Sequence, residues 1–419
     1  MRDQLEGSLG IARTVARCRP EVVSAYPISP QTHIVEALSD MVRTGELAPC
    51  EYMLVESEFA AMSAAIGASA MGARAYTATA SQGLLYMAEA LFNASGLGLP
   101  IVMTLANRAI GAPINIWNDH SDAMSQRDSG WIQLYAESNQ AAIDLHVQAF
   151  ALAEELSLPV MVCVDGFVLT HAVEPLDVPE QQEVDAFLPP YEPRQVLDPE
   201  DPVTIGAMVG PEAFTEVRYL AHAKQMQALD LVPEIASRFT QAFGRASGGL
   251  LHRYRTEGAE TIVVALGSVL GTVEDVVDGL RESGERIGAL GITCFRPFPL
   301  EEVRAALAEA RRVVVVERAF AVGIGGIVGQ NVRLALDGLP PIVHDVVAGL
   351  GGRAVTRRSL ESLLADVRAG RLEPGRLHFL DLDTHLVERE LQRLQERRRS
   401  GPHAENILRD LGAVAARPY

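Results

Sequence analysis

The sequence predicts an α/β protein made of a doubly wound first domain and a second, smaller strand-and-helix domain. Three observations carry that prediction. At 419 residues the chain exceeds what one ordinary hydrophobic core organises. Short β-rich apolar runs alternate with longer helix-like stretches, the pattern of a parallel sheet covered on both faces. A proline- and acid-rich stretch separates two regions of such alternation, and that composition disfavours both helix and central strand.

Taken in order, the strand-like runs of the first region are 22–26, 73–78, 100–105 and 159–164, and its helix-like stretches are 58–71, 84–95 and 139–156. Residues 174–211 carry Glu174-Pro175, Pro189-Pro190 and Asp198-Pro199-Glu200-Asp201-Pro202 and read as an extended connector. A helical segment over 214–243 follows. Alternation then resumes with strand 261–266, helix 271–283, strand 287–293, helix 300–310, strand 312–317 and helix 326–336. The expected division is a first domain over 1–173, a connector with its helical segment over 174–255, a second domain over 256–370 and a tail over 371–419. The charged run 388–400 in that tail suits a solvated helix face or a partner contact.

Composition removes several classes of function. Acids outnumber bases 54 to 36, so the net charge of -18 repels nucleic acid and anionic membrane alike. Acids stand at the N-terminus where a signal peptide needs an apolar run, and apolar stretches elsewhere break before the roughly 20 residues that span a bilayer. A cytoplasmic location is therefore expected. The 4 cysteines, Cys18, Cys50, Cys163 and Cys294, are scattered without the tight spacing of zinc or iron–sulfur ligands, so no metal is expected on this chain itself. Lys224 is the only lysine, which excludes a Walker A loop and disfavours Schiff-base chemistry.

Ligands of open parallel sheets bind beyond the carboxyl ends of the strands, so the residues just after each strand are the candidates. Tyr26-Pro27-Ile28-Ser29-Pro30-Gln31-Thr32 is a stiffened turn that puts the Ser29 hydroxyl at the sheet mouth, or else Ser29 or Thr32 caps a helix. Glu58 opens a helix of small apolar residues. It serves either the helix dipole or, if that helix is buried, as a poorly solvated acid suited to sharing a proton. Arg108 follows strand 100–105 and is either a bidentate clamp for a carboxylate substrate or a surface ion pair. The loop Asn118-Asp119-His120-Ser121-Asp122 has metal-ligand residue types, but adjacent residues rarely converge, and turn chemistry is the stronger reading. The glycine run over 323–329 lacks the strict dinucleotide spacing and reads as close strand–helix packing.

The ordered set Tyr26-Pro27-Ile28-Ser29-Pro30-Gln31-Thr32, Glu56-Ser57-Glu58, Ala78-Thr79-Ala80-Ser81-Gln82-Gly83-Leu84, Asn107-Arg108-Ala109, Asn118-Asp119-His120-Ser121-Asp122 and Gln126-Arg127-Asp128-Ser129-Gly130-Trp131 resembles the α subunit of the 2-oxoacid:ferredoxin oxidoreductases, the pyruvate enzymes in particular. Ala265-Leu266-Gly267-Ser268-Val269 and Arg296-Pro297-Phe298 resemble the family's transketolase C-terminal-like domain, so the resemblance covers nearly the whole chain.

The resemblance implies a pyrimidine-type thiamine diphosphate domain and a CoA-dependent oxidative decarboxylation that yields acyl-CoA and CO2 and sends electrons to ferredoxin. It implies that Glu58, with Pro27, binds the aminopyrimidine of thiamine diphosphate, and that Arg108 and Ser29 bind the substrate. Ser29 stands where the pyruvate enzymes commonly have threonine, which leaves open a bulkier 2-oxoacid such as phenylglyoxylate with NAD as final acceptor. The diphosphate-binding Gly-Asp-Gly motif is missing, so the resemblance implies a β subunit holding Mg2+, the diphosphate and a [4Fe-4S] cluster, a ferredoxin-like δ subunit and a γ subunit. Because the chain reaches Tyr26-Pro27 almost at once, γ is expected as a separate chain. A scaffolding subunit without catalytic duty is the competing class, and Glu58 and Arg108 argue against it.

Overall fold

The computed structural model describes residues 3–396 and 401–413. Three sheets organise it. The first has seven strands, in spatial order Cys294–Arg296, Ile132–Tyr135, Val160–Asp165, Ile101–Asn107, Ala75–Thr79, Val22–Ala25 and Glu51–Leu54. All pairings within it are parallel except that of Cys294–Arg296 with Ile132–Tyr135. Residues 294–296, which the sequence pattern leaves inside the second region, thus complete the edge of the first sheet. The second sheet has six strands in the order Leu377–Phe379, Ile342–Val347, Arg312–Glu317, Thr261–Ala265, Ile287–Ile292 and Leu251–Tyr254, with only Leu251–Tyr254 antiparallel. A two-stranded ribbon pairs Asp3–Glu6 with Val173–Leu176.

The central strands Ala75–Thr79, Ile101–Asn107 and Val160–Asp165 are buried along their whole length, which is why they read as continuous apolar runs. The helix Asn139–Leu156 spans the stretch that its apolar pattern predicts and starts at a Ser138 cap, whose side chain accepts from Ala141 N–H at 3.1 Å. The helix expected over 84–95 is instead two, Ser81–Tyr86 and Ala88–Leu97, meeting near Met87, and the segment 214–243 likewise divides into Phe214–Met226 and Ala228–Phe243. Inside the connector, Gln181–Phe187 forms a short helix through a capping box between Glu180 and Glu183.

One apolar cluster fills one face of the first sheet, around Ile11, Leu38, Phe150 and Leu152. The cluster on the opposite face, around Leu91, Leu105, Trp131 and Phe295, continues without a break into Val313, Val315 and Val332 of the second region. The two large sheets therefore share a core. In the tail, helix Thr384–Glu396 packs on His403–Asp410, where Glu390 accepts hydrogen bonds from Asn406 (2.9 Å) and Arg393 (3.1 Å). Residues 397–400 of the charged run lie outside the described residues.

Candidate active site

Chain order and strand order disagree where Val160–Asp165 lies between Ile101–Asn107 and Ile132–Tyr135, and again around Val22–Ala25 in the first sheet. Val22–Ala25 is followed by Glu51–Leu54 on one side, and the next strand, Ala75–Thr79, returns to its other side. That reversal opens a crevice at the carboxyl edge, where parallel sheets bind ligands. The segments after Ala25, Leu54, Thr79 and Asn107 all emerge there, and they carry Pro27 and Ser29, Glu58, Gly83 and Arg108 respectively.

Helix Thr32–Thr44 receives no side-chain cap, so neither Ser29 nor Thr32 has the capping role that the sequence leaves open. The turn is held from below by buried Gln31, whose Nε2 donates to Tyr26 O at 2.9 Å and Ala78 O at 3.3 Å. Pro30 packs on Gly166, where an added Cβ would meet the proline ring at 2.5 Å. Pro27 and Ser29 themselves are exposed at the rim.

Glu58 is the first residue of helix Glu58–Ala70, which starts at Ser57, whose Oγ accepts from Ala60 N–H at 3.2 Å. Its side chain is buried, 8% exposed. Among the described residues none donates a hydrogen bond to its carboxylate, whose oxygens keep a small opening to solvent. The carboxylate lies against Gly83, where an added Cβ would stand 2.7 Å from Glu58 Oε1 and clash with Thr79 Oγ1. Thr79 Oγ1, Gln31 Oε1 and Asn107 Oδ1 are also buried without a hydrogen-bond partner among the described residues. Three buried polar atoms at one sheet edge thus lack the partners that buried groups require, beside an unpaired Glu58 carboxylate. The helix is only half buried: Ala61, Met62, Ala65 and Ser69 face the core, whereas Phe59, Ser63 and Gly67 form an exposed line on the other side. The apolar composition that suggests full burial therefore comes from two faces, one of them open.

Arg108 is not a surface ion pair. It is 7% exposed, and its guanidinium donates to carbonyls, Nη1 to Ser29 O at 3.0 Å and Nε to Asn115 O at 3.2 Å. Among the described residues nothing accepts from its Nη2. Burial lowers its pKa and the neighbouring Asp122 raises it. The Arg108–Ser29 bond ties the fourth and first candidate segments together across the crevice.

Asp122 organises this edge, and sequence reasoning missed it. Fully buried, it accepts four hydrogen bonds: from Ser81 N (3.0 Å) and Arg108 N (2.9 Å) on Oδ2, and from Asn107 Nδ2 (2.8 Å) and Ala123 N (2.7 Å) on Oδ1. Burial pushes its pKa up to about 6 against the pull of these donors. Its partners lie up to 41 residues away, so no local spacing announces it.

The rest of the 115–122 loop faces the second sheet. His120 Nε2 and Arg318 Nη1 bond buried Asp165 at 2.7 and 3.1 Å, Ser268 N–H donates to the same carboxylate at 2.9 Å, and Arg318 Nη2 reaches Asn118. Burial raises the Asp165 pKa, but His120 and Arg318 outweigh it and hold the carboxyl well below its usual range. Asp119 accepts from Gly351 N–H at 3.0 Å, and Asn115 Nδ2 donates to Gly351 O at 3.1 Å. Asp119, His120 and Asp122 thus serve three different partner sets rather than one metal centre. Together they brace the Arg108 loop between the two sheets.

The glycine run over 323–329 precedes helix Ile327–Ala335, and its amide cradle is filled by a carboxylate of the chain itself. Glu317 accepts from Ile327 N–H (2.7 Å), Val328 N–H (2.8 Å) and Gly329 N–H (3.2 Å). Burial raises its pKa to about 7 although the three amides pull the other way.

Two family models match the sequence: "Pyruvate flavodoxin/ferredoxin oxidoreductase, thiamine diP-bdg" over residues 13–237, and "Pyruvate:ferredoxin oxidoreductase core domain II" over residues 259–360. The chain is 48% identical over 371 residues to the pyruvate synthase subunit PorA of Methanosarcina barkeri, covering 87% of this chain and 92% of that one. It is 42% identical over 396 residues to the pyruvate synthase subunit PorA of Pyrococcus abyssi, covering 92% of this chain and 100% of the relative. Its fold is similar to that of the 2-oxoglutarate:ferredoxin oxidoreductase from Magnetococcus marinus, with a TM-score of 0.65 at 20% identity over 87% of this chain and 65% of that longer chain.

Proposed function

The chain belongs to the pyruvate:ferredoxin oxidoreductase family, and on that premise we propose that it is the α subunit of a multisubunit enzyme that converts a 2-oxoacid, pyruvate first, and coenzyme A to acyl-CoA and CO2 with ferredoxin as electron acceptor. The observation that carries this reading is the unpartnered carboxylate of Glu58 at the carboxyl edge, with buried Thr79 Oγ1 and Gln31 Oε1 also unpaired there. These groups fit the polar edge of an aminopyrimidine, which offers both donors and acceptors. When bound, thiamine diphosphate supplies the carbon nucleophile and the electron sink for decarboxylation. Glu58 would hold or pass a proton at its Oε atoms toward that ring, with Pro27 on the rim. Arg108 offers its Nη2 to the substrate carboxylate while Nε and Nη1 stay anchored, and the exposed Ser29 hydroxyl reaches the same substrate.

The rest of the active site would come from partners. Tyr26, Leu54, Phe59, Tyr86, Ile114 and Trp117 are exposed, large and apolar, and most flank the candidate segments, as expected of a surface that another subunit covers. A β subunit would bring Mg2+, the diphosphate contacts and a [4Fe-4S] cluster, a ferredoxin-like δ subunit further clusters, and a γ subunit would complete the assembly. The four cysteines of this chain are scattered in sequence, three of them buried, without the clustered spacing that iron–sulfur ligands show. Domain limits at 1–173, 174–255, 256–370 and 371–419 belong to the same proposal. No helix among the described residues is long and apolar enough to cross a membrane, in keeping with a cytoplasmic enzyme.

The test is anaerobic turnover of the purified complex with coenzyme A, thiamine diphosphate and a viologen dye. Pyruvate, 2-oxoglutarate, branched 2-oxoacids and phenylglyoxylate are compared. Pyruvate is expected to give the highest kcat/KM. A bulkier acid in first place would make Ser29 part of a wider pocket, and no turnover with any of them would overturn the proposal. Glu58→Gln in the assembled complex separates catalyst from scaffold: turnover should fall with assembly intact, and normal turnover would mean a scaffold.

A further inference from the structure

Next to the Ser29 turn, where helix Thr32–Thr44 begins, three side chains from distant parts of the chain converge. Glu6 ends the strand Asp3–Glu6, His33 lies in the first turn of helix Thr32–Thr44, and His171 lies in the turn after strand Val160–Asp165. One ligand-capable atom from each lies within 4.8 Å of the other two. A cation can then sit within about 2.8 Å of all three, since that is the circumradius of the largest such triangle, and zinc bonds of about 2.0–2.2 Å need a closure of less than about 1 Å. His33 Nδ1 and Glu6 Oε1 are already 2.6 Å apart, and the His33 and His171 rings stand with centroids 4.8 Å apart.

The surroundings are rigid where a metal site needs rigidity. Glu6 pairs with Val173 in the two-stranded ribbon, Gly7 N–H donates to Ala172 O at 3.0 Å, and both Ser8 N–H (2.9 Å) and Ser8 Oγ (2.8 Å) donate to Thr170 O. Buried Thr170 lies 2.8 Å from His171 Nδ1 through its Oγ1. With the proton on Nδ1 this contact leaves His171 Nε2 as a bare lone pair, the outer-shell arrangement that fixes a ligating imidazole. His33 is 50% exposed at its side chain and Glu6 30%, so small rotations can close the set.

We propose that Glu6, His33 and His171 form a binding site for one zinc-class divalent cation, with water in the fourth position. Two imidazoles and a carboxylate suit zinc and its neighbours in the transition series and do not suit magnesium. Such an ion would join the N-terminal ribbon, the 166–171 turn and the helix that begins just after Ser29. The proposal does not rest on the thiamine diphosphate reading of the crevice.

The test is calorimetric titration of the chelator-treated full-length chain with ZnCl2 and, in parallel, MgCl2. One zinc per chain is expected, with no magnesium binding in the same range. Glu6→Gln should weaken zinc at least tenfold, and His171→Ala should remove the site while the metal-free thermal midpoint stays that of the wild type. Should His171→Ala fail to fold, the visible bands of Co2+ bound to the wild-type chain decide instead, because tetrahedral nitrogen and oxygen ligation gives them and octahedral aquo-cobalt does not. Zinc affinity unchanged by Glu6→Gln and His171→Ala, or an aquo-like cobalt spectrum, would overturn the proposal.

Discussion

Replacing Asp122 by asparagine tests the logic of the candidate site most directly. The carboxylate accepts four N–H donors, two on each oxygen, and no neighbour among the described residues offers it an acceptor. An amide turned either way presents its NH2 to two of those donors and loses both bonds. Charge-assisted hydrogen bonds contribute about 1.5–3 kcal/mol each, so the loss is about 3–6 kcal/mol, partly offset by no longer burying a charge. If Oδ2 becomes the NH2, the two donors abandoned are the backbone amides of Ser81 and Arg108, which fix the loops on either side of the crevice. A misplacement of about 1 Å at Arg108 costs on the order of 100-fold in rate. The assays are differential scanning fluorimetry and anaerobic pyruvate turnover of the assembled complex. The thermal midpoint should fall and kcat/KM should drop mainly through KM. The wild type should also lose stability as pH rises from about 4 to about 6. Its folded pKa, about 6, lies above the ordinary carboxyl value of 3.8, so the folded form binds the extra proton across that window and stability is level above it. Asp122→Asn should lack that slope. An asparagine variant with wild-type midpoint, KM and pH profile would refute the assignment.

Three further outcomes follow from the same geometry. Gly83→Ala places a methyl against Glu58 Oε1 and Thr79 Oγ1, so turnover should collapse in an assembled complex, and normal turnover would put Glu58 outside the reaction. Arg108→Ala should raise KM for the 2-oxoacid far more than it lowers kcat, and retained substrate affinity would remove the clamp role. Asp165→Asn leaves buried Arg318 without its carboxylate and should cost about 3–5 kcal/mol near neutral pH. Because the folded Asp165 pKa lies below the ordinary carboxyl value of 3.8, the wild-type advantage should be present above about pH 4 and fade as pH falls below it, and a pH-independent difference in denaturation would contradict the ion-pair account.

What could be read from the sequence is what is local. Ile101–Asn107 and Val160–Asp165 are buried on both faces, so their apolar runs had no competing explanation. Arg108 and Glu58 were legible because the carboxyl-end rule needs only strand ends and residue types. Short half-exposed pieces were not: Glu51–Leu54 is an edge strand with one partner, and Asp3–Glu6 exists only because residues 173–176 pair with it. Asp122, His120 and Asp165 escaped for the same reason. Their roles are set by contacts spanning 14 to 153 residues, and a polar loop that braces two sheets looks, in one dimension, like any turn.

The glycine run over 323–329 shows how the structure adds what composition cannot. The sequence argued against a dinucleotide there from broken spacing alone. Helix Ile327–Ala335 nevertheless starts with three free amides, the arrangement that attracts an anion. Glu317 supplies the anion from within, and its carboxylate lies so close to Gly326 that an added Cβ could not fit. With its pKa raised to about 7, Glu317 needs those amides to remain ionised at all, and a phosphate would have to displace both its charge and its bonds. Gly326 is therefore required by an internal carboxylate, and Arg318, the residue after Glu317, carries the same strand end to Asp165 and the Arg108 loop. The second sheet thus acts on the crevice through fixed side chains rather than through a ligand of its own.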